Sequence, residues 1–522
     1  MKYIQGQNRT QTYLFPVSLE DAIEEGNEVR LIDLFVDSLA LERFGFQIDH
    51  IENGRPAYHP GDLLKLFIYG YMNKIRSSRR LEKECKRNIE VMWLMGNLHP
   101  DHNTISNFRR DNPGAIKKVF RETVKMADHF QLIGKTLVAG DSTKFRAQNS
   151  KKNNFNEKKI ARHLEYIENK LQEYYQALAE SDGDTKDQIE DRIEQQKKRA
   201  EGYHQIEKQL KESGEPQVST SDPESRQLIT RNNITEVAYN VQTTVDAENN
   251  LLLDYKVTNS NDSKAMGNML QRAKSIMGTN EFTALYDKGY HTGSEFKIAE
   301  DLHIDPLVAI PRQTVHAPDP AYDSENFTFI SEGDYYLCPE GQHLTTTGRW
   351  HQAPGYRFQR YATRACRLCK VKDRCSKSAR GKGIHRSEYH EYIVHNKERV
   401  ERNKELYRRR QAIVEHPFGT LKRQWGFNYI MTKKGSDRAG ADVGLMLTAY
   451  NLRRIMNILG LERLRKYLKE CGCLISRNMS LWKRKLDPFH DFLREVRFVN
   501  PESDLLVYRM LLAKTTLLTG GF

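Results

Sequence analysis

Three acidic residues stand where catalytic carboxylates would. Asp141 ends the apolar run TLVAG and is followed by Ser-Thr-Lys. Asp287 ends FTALY and is followed by Lys-Gly-Tyr. Glu415 lies on a basic helical stretch between Arg408-Arg409-Arg410 and Lys422-Arg423. Carboxylates at the carboxyl ends of neighbouring strands can converge on one site. Oxygen ligands suit Mg²⁺, which keeps several waters while taking one or two carboxylates plus phosphate. Two such ions serve the attacking and the leaving oxygen of an in-line phosphoryl displacement. The flanking cations would hold a DNA backbone beside an otherwise repulsive acidic site. The alternative is chance, because a chain with 69 acidic residues sets some of them at strand ends without function.

A second set is made of sulfur. Cys338 in YLCPEGQHL and Cys366, Cys369 and Cys375 in CRLCKVKDRC have thiolate spacing that suits tetrahedral Zn²⁺ rather than Mg²⁺. Between Arg357 and Arg386 there are eleven Lys or Arg residues and one acid, Asp373, and Trp350, Tyr356, Phe358 and Tyr361 flank them. A basic zinc knuckle with aromatic neighbours suits a DNA backbone and splayed bases. The plainer readings are reduced thiols in a loop, or a zinc ion that is only structural. Cys85, Cys471 and Cys473 read as ordinary thiols.

The elements that position these groups follow from the periodicities. Residues 1–133 read as a helical N-terminal domain, with helical spacing in LIDLFVDSLAL and LLKLFIYGYM and Pro60 at a helix start. From Lys74 to Glu90 there are seven Lys or Arg residues and three Glu. Beyond them Asp101 or Asn103 caps a short helix that ends in Asn107-Phe108-Arg109-Arg110. Two short helices of this kind fit a helix-turn-helix-like DNA reader, with Arg79, Arg80, Asn107, Arg109 and Arg110 as candidate contacts. They fit equally a small bundle with a solvated charged face. Residues 134–317 read as a mixed α/β sheet: a strand to Asp141, a long insertion, a hairpin around Glu248-Asn249-Asn250, a helix, a strand to Asp287, and a strand at LVAIP. Within the insertion, at 155–215, Ile160, Leu164, Ile167, Leu171, Tyr174 and Leu178 repeat in heptad fashion. Ile189, Ile193, Ala200, Tyr203, Ile206 and Leu210 do so on a second arm. The expectation is an antiparallel helical hairpin acting as a spacer. Periodicity dissolves over 318–390, which reads as a cysteine-rich insertion dependent on metal for its structure. Residues 391–474 carry the helix of Glu415 and a further helix, and 475–522 form an extension of no assigned role.

Asp222, Asp246, His416 and Trp425 are weaker signals. The first two read as turn residues, and the last two as packing residues.

In composition, 82 Lys plus Arg against 69 Asp plus Glu gives a net charge of +13, which points to a polyanionic partner. No apolar run approaches the roughly 18 residues of a membrane span. The start lacks the apolar stretch of a signal peptide, so the expected location is the cytoplasm, beside the nucleoid.

The strings VAGDSTKFRAQNSK, VSTSDPESR, AYNVQTTVDAENN, ALYDKGYHT, RRRQAIVEHPFGTLKRQWGF and LTAYNLRR resemble the bacterial DDE insertion-sequence transposases. The similarity is to the branch with an inserted cysteine-rich segment (the IS-five and IS-eleven-eighty-two relatives). It covers about residues 1–460 and includes PGDLLKLFIYGY and PDHNTISNFRR of the N-terminal helices. The resemblance implies a ribonuclease-H-like catalytic core with Asp141, Asp287 and Glu415 as its catalytic, metal-binding acids. It implies two Mg²⁺ ions (or Mn²⁺), DNA nicking at terminal inverted repeats, and joining of the freed ends to a target. Structural Zn²⁺ on the four cysteines, DNA contacts by Lys288, Arg408, Lys422 and Arg423, and a homodimer or larger assembly on DNA complete the expectation. One departure stands out. A related pattern has Tyr three residues before an Arg that is itself four before the Glu, whereas Gln411 is four before Glu415 here. Two other readings stay open: a catalytically inactive, transposon-derived, zinc-containing DNA-binding regulator, and a standalone repair nuclease.

Overall fold

The computed structural model describes residues 18–48, 57–180, 182, 184–230, 234–312, 316–432 and 434–472. The chain divides into two compact units. The smaller joins residues 24–40 to those from Leu459 onward. It contains helix α1 (Val29–Asp37), with Leu31, Ile32, Phe35 and Val36 buried, and the helical residues 461–472, with Leu464 and Leu468 buried. The 475–522 extension lies outside the described residues.

The larger unit opens with helices α2 (Leu41–Phe44), α3 (Pro60–Met72), α4 (Ser78–Glu84), α5 (Ile89–Leu94), α6 (His102–Asp111) and α7 (Pro113–His129). Pro60 and Pro113 stand in first turns, where a missing N–H leaves nothing unpaired. Asp101 caps α6 by accepting from the amides of Asn103 at 2.8 Å and Thr104 at 3.1 Å. Nearly all of α3 is apolar and buried, as suits a helix surrounded by others.

The chain then enters strand β1 (Leu137–Arg146). A two-stranded clasp of β2 (Asn154–Phe155) and β3 (Val218–Ser219) closes the base of the hairpin α8 (Glu157–Ala179) and α9 (Asp184–Ser213). Phe155, Ile160, Leu210 and Val218 form the hairpin's basal core, with Leu164, Tyr203 and Ile206 packed on it. The two-arm heptad reading is therefore the observed packing. Next come β4 (Arg226–Ile229), β5 (Thr235–Asp246), β6 (Leu252–Thr258), α10 (Met266–Met277), β7 (Thr283–Tyr286), α11 (Gly293–Asp301) and β8 (Asp305–Val308). They make one mixed sheet in the order β4-β5-β1-β7-β8, with β6 also on β5. β5 is antiparallel to β1, β4 and β6, while β7 is parallel to β1 and β8 is parallel to β7.

Between β8 and the last helices lies a five-stranded antiparallel sheet. Its strands are β9 (Thr328–Ile330), β10 (Tyr335–Leu337), β11 (His343–Ala353), β12 (Tyr356–Ala362) and β13 (Gly383–Ser387), with the short helix α12 (Lys372–Cys375) before β13. Phe327, Tyr336, Leu344, Tyr361 and Ile384 form its own apolar core. The segment expected to depend on metal thus has an apolar core of its own. The strands were hidden because β11 is mostly exposed and polar, so it lacks an alternating apolar face.

The long basic helical stretch is two helices, α13 (His390–Arg402) and α14 (Lys404–Phe418), parted at Asn403. A π-helical turn, Gly419–Gln424, follows Pro417 and α14, and α15 (Ser436–Leu459) runs through the core.

Candidate active site

Register does most of the positioning. Leu137, Val138 and Ala139 pair with Thr283, Ala284 and Leu285 across parallel strands. Two residues further on, Asp141 comes level with Asp287 as β7 ends. Gly140 makes this approach possible, because a Cβ there would lie 2.0 Å from the Tyr286 ring. Asp287 is fixed by accepting the Gly289 amide at 2.8 Å, and Asp141 by accepting the Ser142 amide at 2.7 Å.

Helix α14 crosses this end of the sheet. Tyr407 donates to the carbonyl of Tyr286 at 3.0 Å. Arg410 lies 3.4 Å from the Asp141 carboxylate. Gln411 donates to Glu415 at 3.0 Å. Glu415 is exposed and lines a groove of about 720 Å³ with Ser142, Thr143, Lys144, Glu236, Lys422 and Arg423. So Asp141 and Asp287 are close neighbours, and Glu415 faces the groove bordered by the residues just after Asp141. Arg410, three residues after Tyr407 but five before Glu415, is the basic residue that meets Asp141.

Burial pushes the Asp141 carboxyl up to about 6, Arg410 opposes the rise, and Asp287 and Asp262 add to it. Asp262 was not singled out from the sequence. It follows β6, receives the Asn240 amide at 2.7 Å and lies 3.6 Å from the Lys144 ammonium. The one local cue was the polar turn NSNDSK before a helix.

Among the described residues, no group of three or more His, Cys, Asp or Glu side chains is gathered to hold a metal ion. For the acids, what is assembled is a pair of aspartates. That donor set suits Mg²⁺, which takes one or two carboxylates and completes its shell with water and substrate phosphate. For sulfur, this leaves the expected tetrahedral Zn²⁺ centre unsupported. Cys338, Cys366, Cys369 and Cys375 are neighbours, and burial followed by the other thiols raises Cys375. Yet Cys338 and Cys375 pack against the apolar core of the second sheet, and Cys366 packs its Cβ against Gly381. The region is built on its own core.

The expected DNA contacts divide. Arg79, Arg80, Asn107, Lys288, Arg408 and Arg423 are exposed. Arg110 is exposed and paired with Asp111 at 2.6 Å, and Arg408 is paired with Glu405. Lys422 borders the groove but donates to the Lys144 carbonyl at 2.7 Å. Arg109 is a correction: it is 3% exposed, bonded to Tyr71 at 2.8 Å and to Asp442 at 3.3 Å. Its side chain is spent on a buried network and cannot reach a phosphate. The weaker signals resolve as packing. Asp222 accepts from Tyr239, Asp246 accepts the amides of Gly134, Glu248 and Asn249, His416 bonds Tyr450, and Trp425 lies edge-on to Phe427.

Comparison with known families gives two matches. Residues 17–111 match a transposase domain (DUF772), and residues 337–456 match a transposase DDE domain. No curated protein and no solved structure matches the chain. Both matched families are transposase domains. The second is specifically a DDE domain, and the two matches support the resemblance to the bacterial DDE insertion-sequence transposases. A DDE domain implies a nuclease and transferase enzyme that acts on DNA. Glu415 lies inside the second match, and Asp141 and Asp287 lie outside both. No helix among the described residues is long and apolar enough to cross a membrane.

Proposed function

We propose that the chain binds the terminal inverted repeats of an insertion sequence, cleaves DNA strands at its ends and joins them to target DNA by phosphoryl transfer, with Asp141, Asp287 and Glu415 as its catalytic acids. The observation that carries this reading is the parallel register of β1 and β7, which sets Asp141 level with Asp287 just past the end of β7, with α14 bringing Arg410 to Asp141 and Glu415 to the adjoining groove. The strand sequence β6-β5-β1-β7-β8, three antiparallel strands followed by two parallel ones, supports a ribonuclease-H-like core.

Asp141 and Asp287 would hold divalent cations, Mg²⁺ or Mn²⁺, with Glu415 completing the set once DNA fills the groove. When bound, such ions supply charge stabilisation at the attacking and leaving oxygens. The chain's own contribution is orientation. Gly140 and Tyr286 fix the spacing of the two aspartates, and Arg410 neutralises Asp141 in the free protein. Lys144, Lys422 and Arg423 border the groove where a phosphate backbone would run.

Asp141→Asn is nearly isosteric and removes one anionic charge. It should abolish Mg²⁺-dependent cleavage of DNA taken from the gene's flanks while leaving binding to that DNA unchanged or slightly tighter. A variant that cleaves as well as the parent refutes the acid assignment. Absence of cleavage by the parent, with binding retained, favours the regulator reading.

A further inference from the structure

We infer that Asp262 is a positioning residue of the candidate active site, adding its negative charge beside Asp141 and Asp287 so that a divalent cation is drawn to that pair. The inference rests on the proposed function and goes beyond the three acids it names. A methyl group built on Gly289 would lie 3.0 Å from the Asp287 Oδ1 and 3.7 Å from the Asp262 Oδ2. The two carboxylates therefore flank the same glycine. On its other side Asp262 reaches Lys144, whose ammonium is 3.2 Å from the Ser142 hydroxyl, next to Asp141 on β1. Asn240 anchors Asp262 from β5, also donating to the Ser260 carbonyl at 2.9 Å.

An acidic cluster alone would mean little. The independent observation is Tyr290, which is fully buried, with a hydroxyl that has no hydrogen-bond partner. Buried hydroxyls are normally paired, because an unpaired one forfeits its hydration. Burial acts on this phenol first, followed by the charges of Asp262, Asp141, Tyr286 and Asp287. An O–H donor left open among three carboxylates fits a site that something else completes: a cation's water or a phosphate oxygen. Asp262 is not part of a ligating trio among the described residues, so its action is through charge at short range.

The test uses the full chain and Mn²⁺ alone, titrated calorimetrically. Asp262→Asn keeps an oxygen for the Asn240 bond and removes the charge. A unit charge about 6 Å from a divalent ion, at the dielectric of water, changes its binding about tenfold. The Mn²⁺ dissociation constant should therefore rise about tenfold in Asp262→Asn and stay within about twofold in Asp262→Glu. Urea unfolding of both variants checks the fold, and Asp141→Asn serves as the reference for the site itself. Unchanged Mn²⁺ affinity in Asp262→Asn, with affinity lost in Asp141→Asn, overturns this inference and leaves the proposed site standing. Unchanged affinity in both, or no Mn²⁺ bound by the parent, overturns both readings. Equal losses in Asp262→Asn and Asp262→Glu would show that geometry rather than charge matters, and would also overturn it.

Discussion

Removing the Asp442 charge should cost much of the protein's stability. Asp442 is fully buried on α15 and lies 3.6 Å from Arg76 and 3.3 Å from Arg109. It accepts the Met431 amide at 2.8 Å and the Tyr71 hydroxyl. Burial pushes the Tyr71 phenol well up, so it stays protonated and donates to Asp442 while accepting from Arg109. Arg76 also stacks on Phe427 and Tyr429 and donates to the Tyr429 carbonyl at 2.8 Å. Asp442→Asn leaves two buried guanidinium groups without a counter-charge. Breaking one buried pair by removing a partner costs about 3–5 kcal/mol, against a total of about 5–15 kcal/mol for a typical folded protein. Arg109→Met leaves Asp442 its second guanidinium, so a smaller loss of about 1–3 kcal/mol is expected. Urea unfolding followed by circular dichroism measures both, and the double variant should lose less than the sum because the sites share partners. DNA binding by Arg109→Met, measured below its unfolding transition, should keep the parent's affinity and salt dependence. If it instead keeps the parent's unfolding midpoint and loses DNA affinity with a shallower salt slope, Arg109 is a phosphate contact and the buried network is wrong.

Asp141 predicts a pH effect of definite sign. Its folded value of about 6 lies above the ordinary carboxylate range, so the folded state holds its proton more tightly than the unfolded state does. Stability from this group is present below about pH 4 and is lost as the pH rises to about 6, up to about 3 kcal/mol in all. Without added metal, Asp141→Asn should therefore be more stable than the parent at neutral pH and equal to it in acid, by urea unfolding at both. Parity at neutral pH refutes the burial of this charge. Arg410→Gln removes the cation that opposes the rise, so the midpoint of the parent's pH-dependent loss should move upward in that variant. An unmoved midpoint means that the Arg410–Asp141 pair does not form in solution.

Much of the fold could be read from the sequence because local pattern and tertiary role agreed. The heptads of α8 and α9 pack on each other, Asp101 caps α6, and the apolar runs leading to Asp141 and Asp287 are the central parallel pair, although β1 continues past Asp141 to Arg146 where the sequence reading ended it. The reading failed where burial is not periodic. The sheet of residues 328–387 draws its core from five scattered residues of four separate strands and one loop, Phe327, Tyr336, Leu344, Tyr361 and Ile384, while β11 lies largely in solvent. No window of that sequence shows an apolar face, and its cysteines drew attention away from the strands.

The site was legible as far as one-dimensional spacing carries, and no further. A carboxylate that closes an apolar run announces itself, so Asp141 and Asp287 could be named from their flanks, although Asp141 stands inside β1 rather than at its end. A charge that acts across the sheet does not. Arg410 looks like any member of the run Arg408-Arg409-Arg410, and only the rotation of α14 decides that the third arginine meets Asp141 while the first pairs with Glu405. Arg109 makes the same point in reverse. Its neighbour Arg110 is solvent-exposed and ion-paired one residue away, whereas Arg109, a hundred degrees around the helix, is sealed against α15. Adjacent arginines in a basic helix thus serve opposite ends, one available to a polyanion and one fixing the core. Net charge overstates the DNA-facing charge by every cation so enclosed.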